Sequence, residues 1–122
     1  MTEEELQRAL DAALPASHRH DVFVEECNGQ DVRLRFSPPQ GEGWSDGRLL
    51  MLADIALRAA AGLSARLTHF NATAIRPAQA ADVLALARVI RRDGRSIHAE
   101  AWLFSHAVVE PMLHATATVV VD

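Results

Sequence analysis

Hydrophobic positions near the start of the chain recur at helical spacing: Leu6, Leu10, Ala13 and Leu14 fall on one side. Thr2 stands three residues before Glu5, the spacing of a capping box, so 2–14 is predicted as a short amphipathic helix that Pro15 ends. The period then shortens. Val22-Phe23-Val24 marks a strand over 20–26, and Asn28-Gly29 is the strongest short turn signal in the chain. After it Val32, Leu34 and Phe36 alternate with Arg33 and Arg35, a strand with one wet face that pairs with the first as a hairpin. Two prolines and three glycines make 38–47 a long loop, with Ser45 or Asp46 able to cap a helix beginning there. Helix formers fill 48–63, and Gly62 is a plausible stop. Downstream the alternation returns, predicting strands over 68–75, 83–91, 96–104 and 113–121, the middle pair joined by the turn Arg92-Asp93-Gly94-Arg95.

A hairpin, one central helix and a run of four strands cannot alternate as βαβ units. The expected fold class is α+β: an antiparallel sheet, its last four strands a meander, wrapped around a single long helix. Both faces of 83–89 are apolar, which predicts a central strand covered on both sides.

Composition narrows the chemistry. The 122 residues make one domain, 1–122, with 49% hydrophobic and 23% charged residues, an ordinary globular mix. A net charge of −4 lacks the electrostatic footprint of a nucleic-acid binder. All 12 basic residues are arginine, so Schiff-base lysine chemistry and a phosphate-loop lysine are excluded. A lone Cys27 excludes an intramolecular disulfide framework and a multi-cysteine zinc site. The start Met1-Thr2-Glu3-Glu4-Glu5 is unlike a signal peptide, and the apolar run 49–63 is short and holds Asp54 and Arg58; a cytoplasmic protein that does not span a membrane is expected.

That run poses the central question. Leu49, Leu50, Met51, Leu52, Ile55, Leu57 and Leu63 cover every side of the helix, which predicts burial all round, yet Asp54 lies in its middle. A carboxylate leaves water only at a cost that a partner or a function must offset. Arg58, one turn on, is a sufficient structural partner; a substrate cleft beside Asp54 is the alternative.

The segment Gly47-Arg48-Leu49-Leu50-Met51-Leu52-Ala53-Asp54 resembles the helix start of hotdog-fold acyl-CoA thioesterases of the PaaI-like branch, where His-Gly-Gly precedes an apolar run ending in Leu-Ala-Asp. The resemblance continues through Asn71-Ala72-Thr73-Ala74-Ile75-Arg76-Pro77-Ala78, Ala81-Asp82-Val83-Leu84, Ala87-Arg88-Val89-Ile90 with Gly94-Arg95, and Ala115-Thr116-Ala117-Thr118. It implies a hotdog fold and hydrolysis of an acyl-CoA thioester, with no cofactor beyond the CoA of the substrate itself. It also implies a site shared between two subunits of a homodimer or tetramer. Asp54 takes the place of the carboxylate that activates water or attacks the carbonyl. The helix N-terminus supplies the oxyanion amides, a sensible use of unsatisfied donors and positive dipole. Thr68 falls near where the family places a hydroxyl. Counting back from Asp54, His-Gly-Gly falls on Ser45-Asp46-Gly47, so the oxyanion amide belongs to Asp46 and only the second glycine is kept. That departure motivates a second reading, a hotdog protein that binds acyl-CoA or assembles with partners without turning it over. A hotdog dehydratase or hydratase pairs a histidine with the helix acid, and none lies between Gln40 and Thr68.

Other constellations have simpler explanations. Gly43-Trp44-Ser45-Asp46-Gly47 matches the nucleophile elbow G-x-S-x-G, but no strand runs straight into it and one helix cannot build the parallel sheet it needs. Helix capping is the better reading of Ser45. Of the six histidines, His18 and His20 are i, i+2 neighbours, His98 and His114 alternate with apolar residues as sheet-face positions, and His69 adjoins Thr68. No metal-ligand spacing joins them, and no metal is expected. Arg91, Arg92 and Arg95 cluster at a turn, with Arg76 a similar candidate; their planar forks suit CoA phosphates, and a solvated turn explains them equally well. Gln40 is the nearest side-chain amide for orienting a water, and Trp102 and Phe104 read as core or interface ahead of acyl-pocket lining.

Overall fold

Thr2 caps the first helix as the sequence predicts. In the computed structural model, which describes residues 2–14, 22–29, 31–38, 43–78, 80–105 and 110–121, the Glu5 N–H donates to Thr2 Oγ1 and the Thr2 N–H to Glu5 Oε1. Helix α1 (Glu3–Ala13) then buries Leu6 and Leu10. The hairpin of β1 (Val22–Asn28) and β2 (Asp31–Phe36) follows, then helix α2 (Asp46–Ala61) and four strands: β3 (Arg66–Ala74), β4 (Val83–Asp93), β5 (Ser96–Ser105) and β6 (Pro111–Val120). Gly29 and Gly94 turn the β1–β2 and β4–β5 hairpins at φ 67° and 63°, left-handed values that suit a residue without Cβ. No helix among the described residues is long and apolar enough to cross a membrane.

All strands lie in one antiparallel sheet of order β1-β2-β4-β5-β6-β3. The expected four-strand meander is therefore only β4-β5-β6. β3 sits beyond β6 on the far edge, and β2 takes its place beside β4. The helix explains the exchange: 16 residues rise about 24 Å, roughly the width of five strand spacings, so α2 carries the chain across the sheet before β3 begins. On its way it packs against β2, β4, β5 and β6.

The seat of the helix is a floor of small residues. Ala87, Ala101 and Ala115 stand side by side across β4, β5 and β6, and all are buried. The buried face of α2, Leu52, Ala53, Ala56, Leu57 and Ala60, belongs to the same core cluster. Two burial expectations are overturned by the same fact, that one sheet covers one side. Helix α2 is not enclosed all round, since Leu50 is 41% exposed. Strand β4 is central but bare on its outer face, where Leu86 and Ile90 are 41% and 54% exposed.

Candidate active site

Gly47, Leu50, Met51, Asp54 and Arg58 follow i, i+3, i+4, i+7, i+11 spacing, and together they form the stripe of α2 that the sheet leaves open. Asp54 is thus not sunk in the core: its side chain is 38% exposed. Arg58 Nε donates to Asp54 Oδ1 at 2.8 Å, while Oδ2 has no partner among the described residues. The arginine partner is real, and it engages only one oxygen of a carboxylate that still faces outward.

Two turns below, the helix begins on Ser45, whose Oγ accepts from the Arg48 N–H at 3.2 Å. That serine is the cap, with its oxygen used on the helix. The Leu49 N–H takes the Ser45 carbonyl, which leaves the amides of Asp46 and Gly47 without a partner among the described residues. Both residues are exposed, and nothing lies within 4 Å of where a Gly47 side chain would start. Trp44 steadies the approach to this end: its indole N–H donates to the Ala81 carbonyl at 2.7 Å, tying the helix start to the segment before β4. The free amides and the carboxylate lie on one helix, about 10 Å apart along its axis.

Thr68 is the extra residue of a β-bulge. Leu67 pairs with Val119 and His69 with Thr118, so Thr68 has no opposite number, and its hydroxyl donates to the Thr118 carbonyl at 3.1 Å. A bulge re-aims side chains at an edge. No hydrogen bond joins Thr68 to Asp54. They are linked at one remove, because Arg58 Nη1 donates to the carbonyl of Ala65, just ahead of β3.

The four candidate phosphate-binding arginines are not gathered within one protomer. Arg91, Arg92 and Arg95 are exposed at the β4–β5 tip, where Arg91 Nη2 lies 3.5 Å from His98 Nε2. Arg76 follows the other end of β3 and pairs with Glu110 at 2.8 Å. The register adds Arg66 to the first group, because Arg66 lies opposite Val120, which lies opposite Ser96 next to that tip. Sequence reading missed Arg66, since only strand pairing brings it there. Gln40, His18, His20 and His106 lie outside the described residues.

The outer face of the sheet holds a separate cluster. A cavity of about 520 Å³ opens there over Leu86, Arg88, Glu100 and Trp102, on the side away from α2. Glu100 accepts from Arg88 Nε at 2.7 Å and meets His114 Nε2 at 3.2 Å, and the His114 ring lies 4.0 Å from that of Trp102. Burial pushes the Glu100 carboxyl up, but the hydrogen bonds from His114 and Arg88 outweigh it and hold the group below the ordinary glutamate value. His98 and His114 stand on the sheet face, as their alternation predicts; Trp102 and Phe104 share that outer face and are not core. Among the described residues, no three His, Cys, Asp or Glu side chains converge on a metal position.

No protein-family model matches the chain, and no curated protein matches it in sequence. Solved structures match it in shape. A thioesterase candidate from a Silicibacter species superposes with a TM-score of 0.85 at 19% identity, covering 100% of this chain and 92% of that one. Zebra fish thioesterase superfamily member 2 gives 0.85 at 17% identity, covering 100% and 99%. A mutant of the phenylacetic acid degradation protein PaaI from Thermus thermophilus gives 0.71 at 18% identity, covering 93% and 97%. The likeness is one of fold: this chain has the hotdog fold of thioesterase superfamily proteins.

Proposed function

We propose that the chain is a thioesterase that hydrolyses an acyl-CoA thioester, with the Asp54 carboxylate as its general base or nucleophile. The observation that carries the reading is the state of that side chain: half-open on the uncovered stripe of α2, one oxygen held and the other free. In this reading Asp54 Oδ2 takes a proton from water as the water adds to the thioester carbonyl, or attacks the carbonyl itself. The amides of Asp46 and Gly47, which have no partner among the described residues, donate to the oxyanion, aided by the helix dipole. Collapse of the tetrahedral intermediate breaks the C–S bond. In the general-base route the proton held by Asp54 passes to the departing sulfur, and CoA leaves as the thiol and the acyl group as the free acid. In the nucleophilic route CoA takes its proton from solvent, and water then cleaves the acyl–Asp54 anhydride to release the acid and restore the carboxylate. Thr68 borders the site from β3 of the neighbouring subunit.

The same reading makes the protein a homodimer joined through β3, acting in the cytoplasm. Support comes from the outer edge of β3, which no strand among the described residues covers, and from its half-covered inner row Leu67, Phe70 and Ala72. Two copies of β3 related by a two-fold axis run antiparallel. Arg76 of one protomer then approaches the end that carries the partner's Arg66 and the partner's Arg95, a composite cation suited to CoA phosphates. The bare outer face around Leu86 and Ile90 lets two dimers stack as a tetramer.

The second reading, acyl-CoA binding without turnover, is favoured by Asp46, an exposed acid whose own amide must face the oxyanion. Hydrolysis of short, medium, long and aromatic acyl-CoA esters by the wild type and Asp54→Asn separates the two. We expect turnover by the wild type and at least about a 100-fold loss in the variant. Equal rates remove the mechanism, and tight binding of a non-hydrolysable analogue with no turnover establishes the second reading.

A further inference from the structure

We infer that Arg58 is a positioning residue for the reaction: one guanidinium spans Asp54 on α2 and the Ala65 carbonyl ahead of β3, fixing the acid and the β3 end of the site in one register. This inference rests on the reading of Asp54 as the catalytic carboxylate and deepens it.

An Asp–Arg pair at i, i+4 on a wet helix face is ordinarily a loose contact, worth little and free to swing away. This one is built differently. Arg58 is 29% exposed, and two of its nitrogens are used on two different elements: Nε donates to Asp54 Oδ1 at 2.8 Å, and Nη1 donates to Ala65 O at 3.0 Å. The backbone closes the same turn. The Arg58 carbonyl accepts from Gly62 N at 2.7 Å, and the Gly62 carbonyl from Ala65 N at 3.2 Å. Side chain and main chain of a single residue therefore hold the short link from α2 to β3. A planar fork bound at two points cannot rotate without breaking one of them. With Oδ1 held in that plane, the carboxylate is fixed in orientation, and Oδ2 is the oxygen left to the substrate side. Lysine at this position keeps the charge but has a point-like ammonium with no fork. A purely structural partner would affect melting temperature; a positioning residue affects the reacting step through Asp54.

Measuring kcat and KM for Arg58→Gln and Arg58→Lys, each alone and combined with Asp54→Asn, tests this, with thermal melts as the check on folding. We expect Arg58→Gln to lower kcat about 30- to 100-fold with KM within about threefold, the size that misplacing a reacting group produces. Arg58→Lys, the variant that keeps the charge and remains informative should Arg58→Gln fail to fold, should lose about tenfold. In the Asp54→Asn background, either Arg58 change should alter the residual rate by less than about twofold, because the arginine acts through the acid it holds. Wild-type kcat in both Arg58 variants, or losses that multiply with that of Asp54→Asn, overturns the inference while leaving Asp54 in its role. Wild-type turnover in Asp54→Asn itself, or a wild type that hydrolyses no ester, overturns both readings together.

Discussion

Along β1 the sheet ends against α1, whose Gln7 lies on the strand like a peptide group. Gln7 Nε2 donates to the Val22 carbonyl at 3.1 Å, and Gln7 Oε1 accepts from the Val24 N–H at 2.8 Å. A register shift between Val24 and Glu26 interrupts the same strand, and Arg35 packs its guanidinium 5.0 Å above the Phe23 ring. A bulge, a covering helix and a charged side chain are the devices by which proteins stop an edge from adding strands. At the other edge β3 runs for nine residues with β6 on one side and, among the described residues, no strand on the other. Its inward row Leu67, Phe70 and Ala72 is half-buried, whereas the inward row of β5, from Ile97 to Leu103, is at most 3% exposed. One edge is closed by the chain itself. The other, two residues longer, has no covering element among the described residues, and the proposed dimer rests on this asymmetry.

The largest effect is expected from giving β3 the kind of defence β1 has. Ala72→Lys places an inward-pointing charge on the open edge, a feature that blocks strand addition. Sedimentation should then show a protomer-sized species, and turnover should drop by at least about 100-fold as the shared site comes apart. An assembly unchanged in mass would mean that β3 is not where copies join. The converse experiment opens the closed edge. Gln7→Ala removes both hydrogen bonds to β1, along with a third to Asp11, and exposes the Val22 and Val24 peptide groups, at a cost of about 1–2 kcal/mol in unfolding free energy. Concentration-dependent association beyond the wild-type assembly should appear with it, and the absence of both effects would show that Gln7 does not guard the edge.

What could be read from the sequence divides along the same line. Local signals were legible: the Thr2–Glu5 box, the Asn28-Gly29 turn, the alternation of Val32, Leu34 and Phe36, and the cap before α2 all depend on neighbours in the chain. The place of β3 was not, because its paired residues on β6 lie 39 to 54 positions away and either neighbour suits its alternation. Apolar residues all round α2 imply burial without saying whose atoms provide it, so a helix with an open stripe looks the same as a core helix. The pairing of Asp54 with Arg58 was legible from spacing, but the second bond of Arg58 ends on the Ala65 carbonyl, and a backbone acceptor leaves no mark in a residue pattern. Gln7 was missed for the same reason, and Arg66 because only the register brings it beside Arg95.

The centre of the sheet supplies a control for both edges. Glu100 stands on the outer face of β5, with Arg88 and His114 as its partners and its side chain 15% exposed. Because its carboxyl is held below the ordinary value in the folded protein, the unfolded chain binds that proton first as pH falls. The stabilisation it provides is therefore complete above the unfolded value and is lost as the pH drops through the folded one. Glu100→Gln should cost about 1 kcal/mol at neutral pH, a modest figure because Arg88 is largely solvated. Its unfolding free energy should also decline less steeply than that of the wild type below about pH 5. The same difference in slope should persist when both proteins also carry Ala72→Lys, since Glu100 lies two strands in from β3. Parallel acid limbs would show that the Arg88–Glu100–His114 cluster contributes nothing to acid stability. A difference that vanished with the edge variant would show that the outer face and the open edge are parts of one interface, and the contrast between the two edges would then have to include the sheet face between them.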